Sequence, residues 1–209
     1  IAIVDPVSVG AKYGSEIRAM GYSPIAIFTR AEIDDYALSS FKDEDYDAIF
    51  HHEDLTETLT FIEKKGVAAV IPGSHSALEL SDTVSNCLHL VANPIESMQS
   101  RMNKTIMKQY LKQHHIPCAN FYETENSNDL LQWIEKNGYP VVLKPNASTG
   151  ASNVFLCQTE REVLAAFHTI THTPCVLGKH YDTVLAEEYL DGDEYFMNLL
   201  HDGNGKGQS

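Results

Sequence analysis

Four short apolar runs separated by helix-like segments constrain the first part of this chain more than any other feature. Ile1–Val4, Pro24–Phe28, Asp47–Phe50 and Val67–Ile71 each have the length of a strand. Ala11–Met20 reads as a helix, with Gly21 at the position just past its end that favours a left-handed residue. A second helix opens at Asp54, where Glu57 three residues on completes a capping box. It carries Leu55, Leu59 and Ile62 on one face, and Gly66 ends it. A third runs from Ser74 to about Leu88. Alternation of this kind predicts a parallel sheet covered by helices. Asn93-Pro94 breaks the pattern, which divides the chain into domains 1–94 and 95–209.

Beyond the break, Asn103 to His114 reads as a helix with Ile106, Met107, Tyr110 and Leu111 on its apolar face, and Ile116-Pro117 stops it. Asp129–Asn137 is another helix, closed by Gly138. Val141–Lys144 and Val154–Cys157 are strands flanking a small-residue loop. Thr159 and Glu162 form a second capping box, opening a helix with Val163, Leu164 and Phe167 inside. Thr183–Leu190 and Tyr195–Leu200 are strands joined by the turn Asp191-Gly192-Asp193.

Composition narrows the function classes. The 209 residues carry a formal net charge of −14, which argues against a nucleic-acid partner, since such binding rests on Lys and Arg neutralising phosphates. No apolar run approaches the roughly 18–20 residues of a membrane span, and the start lacks the marks of a signal peptide. Cys87, Cys118, Cys157 and Cys175 form no C-x-x-C pair and read as reduced thiols of a cytoplasmic protein. The adjacent pairs His51-His52 and His114-His115 are not spaced to converge on one metal ion. Gly10 and Gly14 make no dinucleotide-binding fingerprint.

Two segments carry chemistry. Tyr139–Val154 is an apolar strand ending on Lys144, then the loop, then another strand. Leu185–Glu194 carries acids into a turn. A lysine, a loop rich in backbone N–H groups and an acidic strand are the parts that hold a nucleotide: cations and amides take phosphates, and acids take hydrogen-bond donors.

The order Asn103-Lys104, Ile116-Pro117, Val142-Leu-Lys-Pro145 with its loop, and Glu187-Glu-Tyr-Leu-Asp-Gly-Asp-Glu194 resembles the ATP-grasp superfamily. Val4–Gly10, Gly21–Ile27 and Pro72–Asp82 are similar to its L-amino acid ligase branch, whose members join a carboxylate to an amine. The resemblance runs along almost the whole chain. It implies an α/β protein with a Rossmann-like parallel-sheet domain preceding the amino-terminal part of an ATP-grasp α+β domain. It implies ATP and Mg2+ as cofactors and small-molecule carboxylate and amine substrates. The carboxylate is phosphorylated to an acyl phosphate, and the amine displaces phosphate. The family's magnesium ligands lie well beyond the ribose-binding acid, so the resemblance implies a carboxy-terminally truncated ligase with its metal ligands and catalytic residues expected beyond Ser209. It would allow a homodimer.

The resemblance assigns Lys144 and Lys104 to phosphates, and Ser148, Thr149, Gly150 and Ser152 to the loop closing over them. Glu187, Glu188, Tyr189 and Leu190 fall in the adenine-contacting segment, with the contacts largely main-chain ones around Glu187 and Leu190 and with Glu188 pointing the other way. Glu194 matches the ribose-binding acid. Asn153 stands where the family has a second loop glycine, and Asn is the residue most tolerant of positive φ after glycine. Lys104 in the first turn of a helix opposes the helix dipole, which supports a ligand role. Asn103, in place of the family's acid, reads as a change of cap.

Ordinary structural readings stand beside these. Lys144 could snorkel from a strand end, the loop could be a plain hairpin, and 187–194 an acidic hairpin edge. The Gly73–Ser76 loop lies where open parallel sheets bind ligands. Ser74 and His75 there either touch substrate or cap the following helix through Ser74. The competing functions are a non-catalytic nucleotide-binding regulator and another ATP-grasp enzyme, a carboxylase or a purine-pathway ligase.

Overall fold

The computed structural model describes residues 1–29, 33, 35–146, 152–173, 181–195, 197, 200–201 and 207–208. The first sheet contains β1 (Ala2–Val4), β2 (Ile25–Phe28), β3 (Ala48–His51) and β4 (Val70–Pro72), all parallel, in the order β3-β2-β1-β4. Its register sets Ala2 against both Ile25 and Val70. The central strand β1 is wholly apolar and has no exposed residue, as expected for a parallel strand covered on both faces. Helices α3 (Leu55–Lys64) and α4 (Leu78–Cys87) cover one face, burying Ile62, Leu80 and Val84 against Ala2, Val4 and Ile27. Helix α1 (Tyr13–Ala19) covers the other, with Ile17 against Ile3, Ala26 and Phe28. Full burial of Ile3 or Ile27 contributes about 1.5–3 kcal/mol each. The short helix α2 (Asp35–Leu38) follows β2.

Helix α5 (Met98–Met102) packs on α4, where the Arg101 guanidinium lies 2.5 Å from the buried Asp82 carboxylate. Helix α6 (Lys104–Gln113) follows, capped by the Asn103 side chain, which accepts from the amides of Thr105 and Ile106. Cap replacement at Asn103 is therefore a working cap.

The second sheet is antiparallel: β5 (Phe121–Thr124), β6 (Val141–Lys144), β7 (Phe155–Cys157) and β8 (Val184–Glu188), in the order β5-β8-β6-β7. Helices α7 (Ser127–Asn137) and α8 (Glu160–His172) cover one face, packing Leu130, Ile134, Val163, Ala166 and Ile170 on Val141, Leu143, Val184 and Ala186. Strand alternation sends Val142, Lys144, Leu185 and Glu187 to the opposite face. The strands β9 (Leu200–His201) and β10 (Gly207–Gln208) form a separate antiparallel pair.

Several expectations are corrected. Helix α6 buries Thr105 and Lys108, while Met107 and Tyr110 are 39% and 44% exposed. The helix lies beside the charged face of the second sheet, so a cation faces inward there and the apolar stripe does not. In α8, Leu164 is exposed and Ala166 and Ile170 are the buried partners of Val163. The strand expected over Tyr195–Leu200 is absent at Tyr195 and Met197; only Leu200 begins one. Strand β5 and helix α5 were not read from sequence. Among the described residues Cys87, Cys118 and Cys157 are free thiols, and Cys175 lies outside them. No helix among the described residues is long and apolar enough to cross a membrane.

Candidate nucleotide site

The site is built where α6 meets the open face of the antiparallel sheet. Lys144 ends β6, and Glu187 lies on the neighbouring strand β8, on the same face and one step along the diagonal. The Lys144 ammonium is 2.7 Å from Glu187 Oε1. The Lys108 ammonium, delivered by α6, is 3.2 Å from the same oxygen. Neither approach has hydrogen-bond geometry, so both are ion pairs. Lys104 lies one helical turn before Lys108 on the same side of α6. Burial is the main cause holding its ammonium below the ordinary lysine range; the Lys144 charge adds to this, and Glu187 opposes it. Among the described residues, Lys104, Lys108 and Lys144 share this face with the carboxylates of Glu187 and Glu123.

Asn146 ties the loop entrance to its surroundings. Its backbone carbonyl accepts from the Lys104 amide at 2.9 Å. Its side-chain amide donates to Glu123 Oε1 at 2.5 Å and to Thr183 Oγ1 at 3.3 Å, and Thr183 Oγ1 donates to the same Glu123 oxygen at 2.6 Å. The chain entering the loop is thus bound to α6, to β5 and to the approach to β8. Ser148, Thr149 and Gly150 lie outside the described residues. Ser152 is half-buried in the turn that follows, and Asn153 has φ 58°, the left-handed conformation a glycine would otherwise supply.

The acidic segment divides by face. Glu187 is spent on the two lysines, whereas Glu188 points away and accepts from the Asn120 amide at 2.9 Å and its side chain at 3.0 Å. The Glu188 amide donates to Asn120 O and the Tyr189 amide to Pro140 O. Among the described residues, Leu190 is the first of the segment with no main-chain partner for its N–H, and it is 67% exposed. Glu194 is exposed, and among the described residues no ion pair joins it to the lysines.

The parallel sheet brings its own loop to this place. His75 is half-buried at the end of β4, and its pKa is lowered first by burial and then by the charge of Lys104. The loop is anchored by Asp5, which is fully buried and accepts from the Thr29 amide and hydroxyl, both at 2.7 Å, and from Ser76 Oγ at 2.6 Å. Gly10 and Gly73 touch backbone to backbone beside it; a Cβ on Gly10 would sit 2.2 Å from Gly73 O. Ser74 makes no side-chain cap to the following helix; its hydroxyl meets Ser76 Oγ at 2.8 Å instead. The capping alternative for Ser74 therefore fails.

Lys108, Asn146 and Glu123 escaped the sequence reading. Lys108 lies four residues after Lys104 and was the one signal available; the other two have no local pattern. Arg101, beside Lys104 in sequence, belongs to the α4–α5 contact through Asp82. Among the described residues no three His, Cys, Asp or Glu side chains are placed to hold a metal ion.

Known proteins share this architecture. The dapdiamide A synthase of Enterobacter agglomerans is 28% identical over 204 residues, covering 95% of this chain and 48% of that protein. A phosphoribosylamine–glycine ligase of Salmonella typhi is 24% identical over 153 residues, covering 72% of this chain and 35% of that protein. Among solved structures, the L-amino acid ligase from Bacillus licheniformis superposes with a TM-score of 0.64 at 20% identity, covering 91% of this chain and 44% of that one. The N5-carboxyaminoimidazole synthetase from Staphylococcus aureus complexed with ADP gives 0.62 at 17%, covering 91% and 47%. The chain spans about half the length of the first of these relatives and less of the second. Residues 102–207 match the phosphoribosylglycinamide synthetase, ATP-grasp (A) domain, and the chain belongs to that family.

Proposed function

We propose that this chain is the nucleotide-binding part of an ATP-dependent carboxylate–amine ligase acting on an amino acid, with residues 1–94 presenting substrate and 95–209 holding ATP. The observation that carries it is the meeting of Lys104, Lys144 and the His75 loop at the carboxyl edge of the parallel sheet. A phosphate-binding pair and a substrate-facing loop at one place are what phosphoryl transfer to a bound carboxylate needs. The residues present fit ATP: the Lys104 and Lys144 side chains lie together where the small-residue loop begins.

ATP, when bound, supplies the phosphoryl group that turns a carboxylate oxygen into a leaving group, so that an amine forms the amide and phosphate departs. Lys104 and Lys144 take phosphate oxygens, and the loop amides around Ser148, Thr149, Gly150 and Ser152 close on them. Main-chain groups around Glu187 and Leu190 read the adenine edge, with Tyr189 between them, and Glu194 receives the ribose hydroxyls. Glu188 holds Asn120 and is outside the nucleotide contact. Mg2+ would accompany ATP; among the described residues no cluster of His, Cys, Asp or Glu is placed to hold it.

The match to dapdiamide A synthase runs along 95% of the chain, against 72% for the phosphoribosylamine–glycine ligase, which favours the amino acid ligase reading. The family match keeps a purine-pathway ligase as the second reading. The test is phosphate release from ATP by a protein extended to the length of these relatives. Release that requires two amino acids supports the first reading. Release with glycine and phosphoribosylamine alone moves the assignment to the second, and retained ADP binding with no release under any pairing leaves a nucleotide-binding regulator.

A further inference from the structure

Lys108 is a buried cation of the site that the nucleotide reading leaves without a task. It is a lysine 7% exposed, and burial of a lone ammonium is costly. Its carboxylate partner, Glu187, is equally buried and already has a cation in Lys144 at 2.7 Å. A single pair would have neutralised both charges with one fewer buried ion. The structure instead places two ammonium groups on one oxygen.

The two lysines differ in depth. The Lys144 side chain is 19% exposed and stands at the mouth of the loop; the Lys108 side chain is 8% exposed and faces the Phe121 ring 6.0 Å away. No other ion pair to Lys108 is present among the described residues. Were Lys144 the sole partner of Glu187, drawing it toward a phosphate would strand a buried carboxylate, and that loss would offset the gain. With Lys108 in place, Glu187 stays paired when Lys144 leaves.

We propose that Lys108 is a positioning residue: it retains the Glu187 carboxylate so that the Lys144 ammonium can transfer to a nucleotide phosphate. The inference rests on the assignment of Lys144 to phosphate. It makes Glu187 the partner of Lys144 before nucleotide binds and Lys108 the permanent counter-cation. Lys108 itself does not touch the nucleotide.

The experiment uses the 209-residue chain and two readouts. The first is ADP affinity by calorimetry. Lys108→Met should weaken binding about tenfold or more. Lys108→Arg, which keeps the charge, should stay within about threefold of wild type. Lys108→Met/Glu187→Gln removes the stranded carboxylate together with its partner and should recover most of the loss. The second readout needs no nucleotide: the urea midpoint of each variant, which separates a loss of affinity from a loss of fold. An unchanged ADP affinity in Lys108→Met, or a double variant as weak as the single one, overturns the inference. Lys144→Ala separates the two claims. If that variant binds ADP like wild type, the phosphate assignment itself is wrong, whatever Lys108 does.

Discussion

The Lys104 amide donates to the Asn146 carbonyl at 2.9 Å, so the first turn of α6 and the entrance of the small-residue loop are held as one unit. The two residues are far apart in sequence, yet this bond sets Lys104 beside Lys144. The chain leading into the small-residue loop is therefore held at a fixed point, Asn146.

Asn146→Ala should lower stability by about 1–3 kcal/mol, because Glu123 and Thr183 lose a buried donor while the backbone contact to Lys104 survives. Asn146→Asp should cost more, by setting a second carboxylate against Glu123. Thermal unfolding followed by circular dichroism measures both, and an Asn146→Asp protein as stable as wild type would contradict the arrangement.

Gly10→Ala and Gly73→Ala should each destabilise by about 2–3 kcal/mol or more. The added Cβ would lie 2.2 Å from Gly73 O in the first case and 2.6 Å from Asp5 O in the second, both backbone atoms that cannot swing aside. Gly21→Ala, at φ 85° with open space around it, should cost only about 1–2 kcal/mol. Urea midpoints of the three variants give the ranking directly.

His75 should titrate below the ordinary histidine value of 6.5, with burial the larger cause and Lys104 the smaller. Lys104→Met should therefore raise its pKa only part of the way back. A folded-state value below the unfolded one means that the unfolded chain binds the proton first. The contribution of His75 to stability is complete above 6.5 and is lost as pH falls through the depressed value. Proton NMR of the imidazole checks the shift, and full recovery in Lys104→Met would show that burial is not the main cause.

Cys157, 1% exposed, has its thiol pushed up to about 11, first by burial and then by Glu162. It should resist iodoacetamide at about pH 8 in the folded protein, while the exposed Cys87 reacts. Because the folded value is raised, its contribution to stability is full below the ordinary thiol value of 9.0 and declines as pH climbs toward 11. Mass-spectrometric mapping of the labelled cysteines decides it.

Much of the fold could be read locally. Short apolar runs marked β1, β2, β3 and β6, and Asp54, Asn103 and Thr159 announced helix starts, since a cap needs only the amides two or three residues on. Strand β5 escaped because Phe121–Thr124 is half-buried throughout and has no clean alternation; it is a strand through its pairing with β8. The apolar stripe of α6 misled for the related reason that periodicity shows a face without showing what the face meets.

Sequence alone determined the chemical inventory of this protein: Lys104 at a helix start, Lys144 at a strand end, a loop of small residues and an acidic strand, each specified within a few neighbouring residues. Tertiary structure alone decided which charges share a carboxylate, that Glu187 turns inward and Glu188 outward to Asn120, and that His75 lies within reach of Lys104. The physical reason is range. Caps and strand patterns depend on contacts a few residues apart, whereas an ion pair between α6 and β8 depends on register and packing across seventy-nine positions, from Lys108 to Glu187.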